Sequence, residues 1–173
     1  MDEKQLDTFL KSKPSKSAVY LGVVASDEQP RVILDKLKKN VFWVTNTSSR
    51  ATGGTHWTSM FIDVSRRSIE WFNSLGLMPK DDLLKFLQNL ESQNDALPVK
   101  KRFQFKLSRT IIQGIYLKKG DKVKPDNLCG LYSIVFLVRR LSGDKFADAS
   151  GYTSHADKLK TLVEFGAKLN IPV

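Results

Sequence analysis

From Asn127 to Leu141 the chain is apolar on nearly every side of a helical wheel. A helix on a protein surface keeps a polar stripe, and one without it belongs at the centre of a domain with other elements around it. The chain's 173 residues suffice for one such domain over 1–173, with most of its apolar surface gathered in a core. Around this helix the expected fold class is α+β, a small central mixed sheet with further helices flanking it.

The other elements follow from local pattern. Residues 4–12 form an amphipathic helix that ends before Pro14. Ala18–Ala25 and Val41–Asn46 read as strands, separated by the basic turn 38–40. Ser48–Gly54 is a loop, and His56–Asp63 and Ser68–Asn73 are two strands joined by the polar turn Val64–Arg67. A helix opens at Pro79 and runs to about Ser92 on the stripe Leu83, Leu84, Phe86, Leu87 and Leu90. Arg102–Leu107 alternates like a half-buried strand, Thr110–Leu117 is a second extended run, and Lys118–Asn127 is a charged loop. His155–Leu169 reads as a terminal amphipathic helix, with His155 a partnerless surface residue.

Composition narrows the class of activity. Apolar residues make up 41% and charged residues 27%, as in an ordinary globule. No signal pattern opens the chain and no apolar run approaches a membrane span, so no membrane partner is expected. Against 18 acidic residues stand 28 basic ones, for a net charge of +10. The excess is clustered at Lys36–Lys39, Arg66–Arg67, Lys100–Arg102, Lys118–Lys124, Arg139–Arg140 and Lys158–Lys160. Such a surface attracts DNA or RNA without base readout and in a salt-sensitive way; a merely solvated basic face is the plainer account. With one cysteine and two histidines, no metal site is expected.

Cys129, the only cysteine, falls where the central helix begins. Most free cysteines are inert buried hydrophobes. A cysteine in the first turn, however, sits among unpaired N–H groups and at the positive end of the macrodipole, which favour thiolate. Its own N–H would face a developing oxyanion, and Gly130 would leave room for a substrate backbone. His56 is the candidate base. If the hairpin turn centres between Val64 and Ser65, His56 lies directly opposite Asn73; if between Ser65 and Arg66, the two form a diagonal pair on one face. Either register brings them within about 5–8 Å at Cβ. The amide oxygen of Asn73 can then hold one ring nitrogen and aim the other at sulfur. Asp63 and Glu70, the other polar candidates, are expected to face solvent.

Three segments carry a family resemblance. Val41-Phe-Trp-Val-Thr-Asn-Thr-Ser-Ser-Arg-Ala-Thr-Gly-Gly-Thr-His-Trp57 resembles the adenovirus maturation protease family, the adenains. Trp71-Phe-Asn-Ser-Leu-Gly76 is similar to that family's triad-acid segment at the same distance from the histidine. Cys129-Gly-Leu-Tyr132, with Val135-Phe-Leu137, is similar to its nucleophile helix. The resemblance implies Cys129 as nucleophile, His56 as general base and Asn73 as the third member, where the family carries Glu or Asp. It also implies a glutamine oxyanion donor. Here Gln113-Gly114 stands 16 residues before Cys129, as though Ile115–Val123 were inserted, and Asp126 and Asn127 are its rivals. Gly53 and Gly54 are placed along a substrate groove or at a plain loop hinge. Trp57 stands at the site wall or in the core.

The function so implied is a viral or virophage cysteine endopeptidase that cleaves capsid or core precursors after small residues such as glycine during particle maturation. A virus or a large transposon could encode it, acting in the virion and the host-cell interior as a monomer. No cofactor is required, and DNA is the candidate activator. The family's activating peptide is held by a disulfide; one cysteine leaves none to spare, so any activator here binds non-covalently. The alternatives are a protease that removes SUMO or ubiquitin tags, and a non-enzymatic basic packaging protein.

Overall fold

The computed structural model describes residues 1–13, 16–109, 111–112 and 128–151. In it the apolar stretch forms a helix whose residues from Gly130 to Leu137 are all buried. In chain order the elements are α1 (Glu3–Lys11), β1 (Ala18–Val24), β2 (Asn40–Asn46), β3 (Trp57–Asp63), β4 (Ser68–Phe72), α2 (Asp81–Asp95), β5 (Gln104–Leu107), α3 (Cys129–Leu141) and α4 (Phe146–Ser150). The expected extended run over 110–117 is described only at Ile111 and Ile112, which are irregular. The expected helix at 155–169 lies outside the described residues.

The five strands form one mixed sheet in sequence order, β1-β2-β3-β4-β5. The outer pairs are parallel and the two inner pairs antiparallel. Residues of β2, β3 and β4 alternate between two apolar layers. Phe42, Val44, Phe61 and Phe72 meet α1 and α3 on one face. Val41, Trp43, Met60, Ile62, Ile69 and Trp71 meet α2 on the other. Strands covered on both faces read as continuous apolar runs, as β2 does from Val41 to Val44. The rings of Phe72 and Phe136 stack at 4.5 Å and Ser59 Oγ donates to the Ser133 carbonyl, so α3 lies against the centre of the sheet.

Two expectations fail at that interface. Asp63 and Glu70 do not face solvent: they are 3% and 0% exposed. The cause is Arg140, in the last turn of α3, which is buried rather than part of the surface basic cluster. Its Nε and Nη2 donate to the Glu70 carboxylate at 2.6 and 3.0 Å, and Nη2 also reaches Asp63 at 2.8 Å. Its guanidinium lies 4.7 Å from the centre of the Phe61 ring, a cation–π contact. Burial alone would raise the Asp63 carboxyl; hydrogen bonds from Ser65, the Arg66 N–H and Arg140 outweigh it and hold it below the ordinary carboxylate range. Parity puts Glu70 on the face of Phe72, where a buried carboxylate needs cations beside it: Arg140 from α3 at 2.6 Å and Lys106 from β5 at 4.0 Å.

Candidate active site

The site is built at one end of the sheet, where β3 begins and β4 ends. The pairs Ser59↔Phe72 and Met60↔Trp71 centre the hairpin between Ser65 and Arg66. This is the diagonal register, and His56 Nε2 and Asn73 Oδ1 stand 2.8 Å apart. His56 itself extends the ladder toward β2, its carbonyl accepting from the Thr47 N–H.

Asn73 is fixed from every side. Its Oδ1 also accepts from the Leu75 N–H, and its Nδ2 donates to the Leu77 carbonyl. Its carbonyl accepts from the Gly76 N–H, closing a tight turn. Gly76 has φ +65°, and a Cβ there would stand 3.0 Å from the Arg109 carbonyl oxygen, so the turn needs glycine. The Ser108 hydroxyl accepts from the Asn73 N–H and donates to its carbonyl.

This network assigns the amide and the imidazole together. Because Nδ2 is engaged by a carbonyl, the group facing His56 is the oxygen, an acceptor. Nε2 must carry the proton, which leaves Nδ1 as the basic nitrogen. Burial lowers the His56 pKa from its ordinary value, and the hydrogen bond to Asn73 opposes that shift. The ring is therefore tuned as a neutral base near neutral pH.

Cys129 is the first residue of α3 and is partly exposed. Leu128, at the N-cap, has no polar side chain to occupy the first helical amides, so the N–H groups of the opening turn have no intrahelical partner. Gly130 packs against the residue next to the candidate base: a Cβ there would stand 3.4 Å from Trp57 Cδ1 and 3.2 Å from Met1 Cβ. Trp57 is half-buried and its Nε1 donates to the Met1 carbonyl, so it serves the wall and the core at once. Gln113, Asp126 and Asn127 lie outside the described residues.

Gly53 and Gly54 have local reasons for being glycine. Gly53 has φ +76°, and a Cβ on Gly54 would stand 2.6 Å from Asn46 Nδ2. The Asn46 Oδ1 in turn accepts from the Ser48 and Thr55 N–H groups and holds the loop shut. Both glycines line a cleft of about 340 Å³ that also touches Asn46, Ser48, Trp57 and Met1. A second cavity of about 260 Å³ lies beside His56, Asn73 and Trp71, so the two cavities flank the His56–Trp57 pair.

Sequence reasoning missed Ser108, Trp71 and the N-terminal wall. Arg50 ties α1 to the glycine loop through Glu3 and Glu28, at 2.7 and 2.6 Å. None of these has a local signal; each acts across a sequence gap. Among the described residues no cluster of three or more His, Cys, Asp or Glu could hold a metal, and no helix is long and apolar enough to cross a membrane.

Known proteins were compared with this geometry in view. No family model matches the chain. A protein of Acanthamoeba polyphaga mimivirus that bears the provisional name of thiol protease is 31% identical over 94 residues, 54% of this chain. The match spans 27% of that relative's length. The crystal structure of the African swine fever virus protease is similar over 100% of this chain and 68% of its own, with 16% identity and a TM-score of 0.65. An effector protein of Chlamydia trachomatis, ChlaDUB1, is similar over 96% of this chain and 68% of its own, with 19% identity and a TM-score of 0.50. The chain thus shares the fold of a viral protease.

Proposed function

We propose that the chain is a viral cysteine endopeptidase with Cys129 as nucleophile, His56 as general base and Asn73 as the orienting residue. One observation carries this reading: the 2.8 Å bond between His56 Nε2 and Asn73 Oδ1, which leaves Nδ1 as the basic nitrogen of a residue whose neighbour, Trp57, lies against Gly130 next to the only thiol. The mimivirus relative and the fold shared with the swine fever virus protease support it.

His56 Nδ1 takes the thiol proton, and the sulfur attacks the scissile carbonyl. The N–H of Cys129, which as the first residue of α3 has no intrahelical partner, is the proposed backbone donor to the oxyanion, with Gln113 as the proposed side-chain donor. Collapse breaks the C–N bond, and the imidazolium passes its proton to the departing nitrogen. Water, deprotonated by the same ring, cleaves the thioester and restores the thiol.

The proposed substrates are capsid or core precursor proteins, cut after small residues such as glycine, with the glycine-lined cleft taking the acyl side. Non-specific DNA is the proposed partner. Exposed Lys36, Lys38, Lys39, Arg67, Lys100 and Lys101 gather at the end of the sheet opposite His56. The test is precursor cleavage by wild type and Cys129→Ala, with and without DNA, across a salt series. Wild type should cleave and Cys129→Ala should not. Cleavage retained by the alanine variant would end the assignment, and cleavage confined to ubiquitin-like fusions would move the substrate class.

A further inference from the structure

Trp71 lines the cavity of about 260 Å³ together with His56, Asn73 and Leu83. Two large apolar side chains of the same lining, Leu77 and Met78, are 55% and 50% exposed. A concave site with an apolar rim has the makings of a ligand pocket.

Reaction chemistry decides which ligand. The imidazolium of His56 hands its proton to the departing nitrogen, so the segment that starts at that nitrogen must begin against the ring. This cavity has His56 itself as a wall. The glycine-lined cleft instead includes Trp57, which contacts Gly130 beside the nucleophile, and so suits the acyl side.

On the peptidase reading above, we propose that this cavity is the subsite for the first residue of the leaving segment, selecting a large apolar side chain. The preference for a small residue then applies before the scissile bond and a preference for Leu, Met or Phe after it.

Aminolysis of the acyl-enzyme tests this, because an added amine enters where the leaving group departed. The amine nitrogen attacks the thioester carbonyl, a C–N bond forms and the C–S bond breaks. The amine proton passes through His56 to the Cys129 sulfur. A peptidyl-glycine ester serves as acyl donor, with glycinamide and leucinamide as competing acceptors. Leucinamide should capture the acyl group at least about tenfold better than glycinamide. Leu77→Ser and Met78→Ser, both at exposed positions, should draw that ratio toward one. Ester hydrolysis with equal capture of glycinamide and leucinamide, or with ratios that the surface variants do not move, would overturn the subsite. Failure of wild type to hydrolyse the ester at all would instead remove the peptidase reading beneath it.

Discussion

Asn73 accounts for its own identity better than a carboxylate would. An aspartate could accept from His56 and from the Leu75 N–H, but it would set a charge against the Leu77 carbonyl that Nδ2 now satisfies. The cost is electrostatic: a neutral amide stabilises imidazolium less than a carboxylate does. This gives a titration to measure. With the thiol removed in Cys129→Ala, NMR should find His56 titrating below its ordinary 6.5. Asn73→Ala in that background should lower it further, because the hydrogen bond supports the charged form. The sign carries over to stability. A histidine whose folded pKa is depressed stabilises the fold above its unfolded value, and that contribution fades as pH falls below about 6.5. A His56 value above 6.5 would contradict the account. The His56–Asn73 pairing was legible because strand parity and the hairpin spacing leave few registers. Ser108 was not, since its clamp on Asn73 spans β5, whose parallel pairing to β4 has no short-range signature.

At the scale of elements, α3 and the His–Asn hairpin are fastened by Arg140, Glu70 and Asp63. Arg140→Met should leave two buried carboxylates without their main partner and cost about 3–5 kcal/mol in urea unfolding. A loss below 1 kcal/mol would mean the cluster is not buried as described. The Asp63 carboxylate, held below its ordinary range, stabilises the fold at neutral pH and loses that contribution as pH falls through the folded value. Gly76→Ala tests the turn behind Asn73. The positive φ and the crowding against the Arg109 carbonyl should cost about 1–3 kcal/mol and depress cleavage as well. Unchanged cleavage would show that this turn does not hold Asn73. Strands and helices were legible here because apolar period and turn residues agree along most of the chain. Burial of Asp63 and Glu70 was not, because a buried charge is revealed only by its partner, and Arg140 lies 70 residues beyond Glu70.

Over the whole molecule, the candidate site and the exposed basic residues lie at opposite ends of the sheet. His56 and Asn73 occupy one end; the other gathers lysines and arginines from the turns before β2, between β3 and β4, and before β5. If that end carries the DNA affinity, replacing Lys38, Lys39, Lys100 and Lys101 with Gln should weaken binding. The slope of log K against log salt should become shallower by about 3–4. An unchanged slope would take the DNA affinity away from this end of the sheet. The central claim concerns the other end, and rapid-quench intact-mass spectrometry with a peptidyl-glycine ester reaches it most directly. Wild type should pass through a covalent acyl adduct on Cys129. In His56→Ala the adduct should form about 10²–10⁴ times more slowly. Turnover without that adduct, or adduct formation at the wild-type rate in His56→Ala, would contradict the account.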